Sequence, residues 1–379
     1  MALSSSLPLR LAAFYFAYFA CTAAMVAYFP LYLARRGLGA AEIALVLSLP
    51  QFARVFAPAA WGWLADRWAA GRAIVIFSCV AMAACFAAIP FAAGVAPIAV
   101  LVALMSALSA GALPLVEALA LAALAANPGR YGPIRLWGSV SFMLVVVAGG
   151  VWLDFRPVDA LPWALAALAL ATLGASLALP HAEPPPRGAT RVPALRSPGA
   201  GPLLAAGFCM AAAHGILYAF LTLHLKSVGY SGTEIGVLWA LGVLAEIVVF
   251  LYLPALFRRH SLAAILLFSL GCAVIRFLAI AWLADAMWVL VLAQLLHAAT
   301  FGSFHAASVA AVSRVFPASA RGLGQTLFSS LSYGAGGAAG ALAGGWGWQA
   351  GGPAMAFSLA AAVALVGAYF AWRLDKAVL

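Results

Sequence analysis

The sequence predicts an all-α membrane protein of twelve transmembrane helices in two six-helix bundles, with both termini cytoplasmic. Three observations carry this reading. Of the 379 residues, 66% are hydrophobic and 8% charged, and mean hydropathy is +1.08. A soluble domain carries about 25% charged residues, so this chain needs a bilayer where other proteins use water. Apolar runs of about 20 residues, enough to cross ~30 Å of hydrocarbon, recur along its whole length. The two halves also resemble each other in sequence.

The expected spans are 9–33, 40–65, 73–93, 97–126, 133–153 and 161–180, then 201–225, 233–257, 261–282, 286–313, 321–345 and 353–373. Breakers mark several boundaries: Gly37-Leu38-Gly39, Asn127-Pro128-Gly129 and Gly351-Gly352-Pro353. The first apolar run is too long for a signal-peptide core and reads as a retained helix. Residues 181–198, HAEPPPRGATRVPALRSP, are rich in proline and arginine and form the expected linker. The domains are therefore 1–180, a cytoplasmic linker 181–200, and 201–379.

Charge sets the direction. With the N-terminus inside, Arg10, Arg67, Arg72, Arg130, Arg187, Arg191, Arg196, Arg258, Arg259, Arg314, Arg321, Arg373 and Lys376 are cytoplasmic, while only Arg35, Arg36, Arg156 and Lys226 lie opposite. The formal charge of +10 is spread in short clusters between spans, with no basic face, so nucleic acid is not an expected partner. The five cysteines sit inside apolar runs without metal-ligand spacing and read as small buried hydrophobes. No metal or cofactor is expected. An enzyme would need a nucleophile–base or metal-ligand set, and neither H-E-x-x-H nor G-x-S-x-G occurs; a P-loop run is likewise missing.

GLGAAEIALVL from Gly37 matches GYSGTEIGVLW from Gly229 at an offset of 192 residues. The same offset relates Glu42 to Glu234, Asp66-Arg67 to Arg258-Arg259, and Gly132 to Gly324. An even number of spans per half makes this a parallel repeat, an arrangement found in transporters whose site lies between the halves near the midplane.

Gly62-Trp-Leu-Ala-Asp66-Arg67-Trp-Ala-Ala-Gly71-Arg72 resembles the loop 2–3 signature of the major facilitator superfamily, its Gly-Arg pair displaced by one residue. The resemblance implies the major facilitator fold and a conformational latch carried by Gly62, Asp66, Arg67, Gly71 and Arg72. RYGPIRLWGSVSF (130–142) and PLVEALAL (114–121) are similar to the phenylpropionate-permease-like group, akin to lactose-permease-type proton symporters. The charge layout is shared: Glu117 on span 4, Arg135 on span 5, Glu246 on span 8, Arg276 on span 9 and His297 on span 10. One position departs. Lactose-permease-like proteins place a proton-carrying Glu one turn after that histidine, where this chain has Thr300.

Ionisable groups at mid-bilayer cost at least ~2.5–3.5 kcal/mol each and are functional candidates by default. Arg54, with Gln51 one turn before it, binds an anionic group or pairs with Glu117. Glu117 carries a proton or pairs permanently with Arg135. Glu246 lies at Arg54 plus 192 and is a proton carrier or a salt-bridge partner between the halves. Arg276 snorkels towards Asp285 as a structural group or takes part in binding, with structure the leading expectation. Gln294, His297, Phe301, His305 and Ser308 form one helical stripe on span 10, and histidine titrates near neutrality. Span 7 offers His214, Tyr218 and Thr222; span 1 offers Tyr15, Tyr18, Thr22 and Phe29. Spans 1, 4, 7 and 10 are those the resemblance expects around the cavity. Small residues at 334–340 suit a moving gate helix or static packing.

The resemblance and these charges imply a secondary active transporter. Proton-coupled symport of an aromatic carboxylate by alternating access leads, with sugar or nucleoside uptake and drug-efflux antiport as alternatives. The expected setting is a bacterial-type inner membrane, with the chain acting as a monomer on protons and a small-molecule substrate.

Overall fold

A computed structural model describes residues 7–125, 127–180 and 199–375. The expected linker therefore falls almost wholly outside the described residues, as do Arg187, Arg191, Arg196 and Lys376.

The described residues are helical, without strands. The helices are α1 (Leu7–Arg35), α2 (Ala40–Trp68), α3 (Gly71–Ala88), α4 (Val95–Ser109), α5 (Ala112–Ala123), α6 (Tyr131–Phe155), α7 (Leu161–Leu177), α8 (Ala200–Val228), α9 (Gly232–Arg259), α10 (Leu262–Trp282), α11 (Met287–Leu295), α12 (Phe304–Val315), α13 (Arg321–Ser329) and α14 (Gly337–Asp375). π-Helical turns at Ala298–Ser303 and Ser330–Gly336 join α11 to α12 and α13 to α14. Eleven helical stretches among the described residues are long and apolar enough to cross a membrane. The last of them, Ala318–Leu374, spans 57 residues and takes in both the eleventh and the twelfth expected span. Its helical geometry breaks at Gly351 and Gly352; Gly352 has φ +69°, a conformation open to glycine, and Pro353 restarts the helix.

The sequence repeat has a structural counterpart at its start. α2 and α9 begin at Ala40 and Gly232, 192 residues apart. In each, a glutamate in the first turn reaches back to the residue before the helix: Glu42 accepts from the Gly39 N–H and Glu234 from the Ser231 N–H, both at 2.8 Å. This satisfies a backbone donor that the helix cannot.

α8 is the most enclosed of the long helices, and α6 the least. The surfaces of the outer helices are apolar, with Phe52, Leu104, Leu251, Phe268, Ile275 and Leu365 exposed. Such a surface suits lipid and would be unstable in water.

The first seven helices meet the rest chiefly through α6 on α9, α2 on α14 and α1 on α8. The α6–α9 crossing is tight because it uses glycine: a Cβ on Gly150 would fall on the Gly232 carbonyl. The Tyr28 hydroxyl donates to the Val146 carbonyl beside it. Asp154 closes the crossing. Its carboxylate accepts from the Gly232 N–H (2.6 Å), the Thr233 N–H (2.9 Å) and the Thr233 hydroxyl (2.6 Å). An acid on one helix thus caps the N-terminus of another 78 residues away in sequence. Nothing in the periodicity of either segment announces this contact.

Candidate functional site

Between these helices lies a cavity of about 330 Å³, and a second of about 160 Å³ shares Thr22, Gln51, Arg54 and Tyr218 in its lining. The volume is at the lower end for small-molecule sites. From α1 it is lined by Phe19 and Thr22, from α2 by Gln51 and Arg54, and from α6 by Arg135 and Phe142. The opposite wall comprises His214 and Tyr218 (α8), Trp239 and Glu246 (α9), Arg276 (α10), and Gln294, His297, Thr300 and Phe301 around the first π-helical turn. Arg54 and Glu246, related by the repeat, both line it.

Most candidates from the sequence converge here, and some do not. Tyr18 lines the smaller cavity. Tyr15 is fully buried in the packing between helices and lines neither cavity. Phe29, also fully buried, stacks on Tyr32. Thr222 is buried and accepts from the Trp239 indole N–H at 3.0 Å. The stripe on span 10 ends early. Gln294, His297 and Phe301 face the cavity, but His305 bonds the Tyr333 hydroxyl at 2.7 Å and Ser308 is fully buried. The π-helical turn at Ala298–Ser303 is the reason, because its wider turn shifts the register that a 3.6-residue period assumes.

Arg276 departs from the snorkelling position expected of it. It does not reach towards Asp285, which is exposed. It is 1% exposed and turned into the site. Its Nη1 donates to His297 Nδ1 (3.0 Å) and Thr300 Oγ1 (3.0 Å) and approaches His214 Nε2 (3.4 Å), while Nη2 donates to Gln294 Oε1 (3.0 Å).

This arrangement assigns both histidine tautomers. A guanidinium only donates, so His297 Nδ1 must accept and its proton sits on Nε2. The Nε2 side faces Glu246, 3.9 Å away, which is too long for a hydrogen bond. His214 Nδ1 lies 3.0 Å from the Met210 carbonyl, which only accepts, so Nδ1 holds the proton and Nε2 is the acceptor facing the Thr300 hydroxyl at 3.4 Å. Both rings are neutral here. A second proton on either would set N–H against N–H.

The other wall holds an ion pair, Arg135 Nε to Glu117 at 3.7 Å, each about one-third exposed. The Arg135 guanidinium lies over Phe19, 4.1 Å from the ring centre, and over Tyr15 at 5.4 Å. Arg135 and Glu246 both line the cavity. Arg54 lines both cavities and makes no hydrogen bond or ion pair with the described residues.

Of the loop 2–3 motif, Arg72 engages a helix end, donating to the Leu177 (2.7 Å) and Leu179 (2.9 Å) carbonyls at the end of α7. Asp66 and Arg67 are exposed, with Arg67 beside the Trp63 ring. Gly62 is buried in α2 and Gly71 opens α3. No group of three or more metal-ligating side chains occurs among the described residues.

Trp239 and Phe19 escaped the sequence reading, as apolar-run aromatics carry no sign of which way they face. Arg276 had a usable signal, since a charge deep in an apolar span is a site candidate wherever its helix is expected to lie.

Comparison with known proteins places the chain. It is 35% identical over 213 residues to a "Probable 3-phenylpropionic acid transporter" of Escherichia coli (strain K12), covering 52% of this chain and 53% of that protein. It is 33% identical over 164 residues to a "Maltose permease" of Geobacillus stearothermophilus, covering 43% and 41%. The chain thus spans about half the length of the curated relatives it matches. In structure it resembles a mutant form of the nucleoside transporter NupG, with TM-score 0.87, 17% identity and 97% and 99% of the two chains covered. A bacterial homolog of the human lysosomal transporter Spinster follows at TM-score 0.73 and 15% identity, covering 98% of each chain. The model of the MFS_1 like family matches residues 8–359. The chain therefore belongs to the MFS_1-like family, a multi-pass membrane protein with the fold of these solved transporters.

Proposed function

We propose that this protein is a transporter that carries a small organic anion, an aromatic carboxylate, in symport with a proton. The observation that carries the reading is a charge imbalance. Arg54, Arg135 and Arg276 stand in or beside the cavity against two carboxylates, Glu117 and Glu246, while His214 and His297 are neutral. One positive charge is left over. While both acids are ionised a monoanion neutralises it, whereas a sugar or nucleoside leaves it uncompensated in a low-dielectric site. Tyr18, Tyr218, Trp239 and Phe301 give the cavities an aromatic lining that suits an aromatic body. The likeness to a probable 3-phenylpropionic acid transporter supports the same class.

Glu117 and Glu246 are the proton carriers in this reading. Arg135, paired with the first and lining the cavity with the second, passes from one acid to the other as protons come and go. Gln51, Thr22 and His214 complete the substrate contacts.

The chain crosses the membrane twelve times in this proposal. A continuous helix of 57 residues would be about 85 Å long, nearly three hydrocarbon thicknesses, so the break at Gly351 and Gly352 separates two passes. The two six-helix bundles rock about the site, with both termini cytoplasmic in a bacterial inner membrane. With both termini cytoplasmic, the close α6–α9 crossing lies at the outer end, where it would close that side.

A monoanion moving with one proton carries no net charge. Uptake of 3-phenylpropionate into proteoliposomes should therefore follow an imposed pH gradient and ignore a membrane potential. Uptake driven by potential alone would remove electroneutral proton symport. Equal transport of 3-phenylpropionamide would remove the anion.

A further inference from the structure

Arg276 is the most deeply buried charge beside the cavity, and it has no acid. Its partners are His297, Thr300, Gln294 and His214, all neutral. Among the described residues no carboxylate lies within ion-pair distance of it. A guanidinium this far from water is strongly disfavoured without a counter-charge.

Two donors in the same cluster lack acceptors. Arg276 Nε–H is one, and the amide Nε2 of Gln294 is the other. Arg276 is 1% exposed and Gln294 3%. The Gln294 amide cannot be turned to hide its donor, because its oxygen already accepts from Arg276. Both side chains line the cavity. Water could fill the vacant hydrogen bonds, but it could not balance the charge. A carboxylate does both.

We infer that Arg276 and Gln294 form the seat for the substrate's carboxylate, an assignment that rests on the proposed anion transport. Arg135 is already matched by Glu117. Arg54 is exposed to the cavity, where solvent weakens any ion pair it makes. Arg276 binds where the dielectric is low, so its pairing is the stronger one. With the carboxylate there, the aromatic ring lies towards Tyr218, Trp239 and Phe301, and Arg54 serves as an attracting charge on the facing wall. Thr300 is the residue that keeps the seat vacant. Its hydroxyl is 3.0 Å from Arg276 Nη1, so an acid at this position would supply the counter-ion from within.

The experiment measures equilibrium binding of 3-phenylpropionate and its neutral amide to the purified full-length protein. The readout is the acid-to-amide selectivity, which partial loss of folded protein does not change. The wild type should prefer the acid, and Thr300→Glu should reduce that preference by about 100-fold, Gln294→Leu by about 10-fold. Arg276→Gln should abolish it; if that variant does not fold, the other two decide the matter. Selectivity within 3-fold of wild type in Thr300→Glu would overturn the seat while leaving anion transport standing. A wild type that binds neither acid nor amide, or both equally, would refute anion transport and the seat with it. Chloride is the other anion of suitable charge. Stabilisation by chloride over gluconate equal to that by 3-phenylpropionate would show a halide site and overturn the assignment to substrate.

Discussion

The Asp154 cap ties α6 to α9, and its removal should tilt the transport equilibrium. Gly232 and Thr233 are the first two residues of α9, so their N–H groups have no acceptor within that helix. Asp154 takes both, and the Thr233 hydroxyl as well. Ser231 takes the third, the Glu234 N–H, at 3.2 Å. When the crossing opens, Asp154 leaves and water replaces it. Removing a capping side chain costs about 0.5–2 kcal/mol, and an acid at a helix N-terminus contributes about 0.3–1 kcal/mol. Asp154 is exposed, which screens the charge and keeps the sum low. Asp154→Ala should therefore weaken the closed crossing by about 1–2 kcal/mol, roughly a 5- to 30-fold change in the closed-to-open ratio. Spin labels on cysteines replacing Phe155 and Val228, at the ends of α6 and α8, would report the distance across the halves. The long-distance population should grow in Asp154→Ala and grow less in Asp154→Asn, which keeps one acceptor oxygen. A distance distribution identical to wild type in both variants would refute the argument that this cap holds the crossing shut.

Glu246→Gln should reduce pH-gradient-driven uptake about 10-fold or more while leaving substrate exchange at equilibrium, since the neutral amide cannot cycle a proton; loss of exchange as well would mark Glu246 as a binding residue. Arg54→Gln should weaken acid binding by about 3- to 10-fold and flatten its dependence on ionic strength, a change read by binding at low and high salt. Gly150→Val places a side chain against the Gly232 carbonyl and should open the crossing by overpacking worth about 1–3 kcal/mol; the same label pair checks it.

The apolar spans were legible in the sequence because a helix in lipid must be apolar over about 20 residues, and composition alone shows that. The repeat was legible through Glu42 and Glu234, whose backbone bonds explain why that residue recurs at that place. What faces inward was harder to read. In water a polar stripe and an apolar stripe distinguish the two sides of a helix; in lipid both sides are apolar, and periodicity loses its contrast. Tyr15 illustrates this. It shares a helical face with Tyr18, yet it packs between helices and leaves the cavity to its neighbour. Ser308 failed for another reason, since the π-helical turn at Ala298–Ser303 changes the register and no residue in AATFGS announces it.

Thr300 was legible as a departure, but its consequence was not. Read in sequence, it removes a proton carrier from one turn after His297. In the structure it also leaves Arg276 without an acid, and Arg276 in turn fixes the His297 proton on Nε2. The two effects are linked. With Arg276 donating to Nδ1, His297 cannot become doubly protonated unless Arg276 moves, so the histidine does not carry the coupling proton in this state. An anion drawing Arg276 towards itself would loosen its hold on His297 Nδ1 and free that ring to relay a proton to Glu246, the carrier beside it. Substrate and proton would then favour each other's binding through one side chain, which is the thermodynamic requirement of symport.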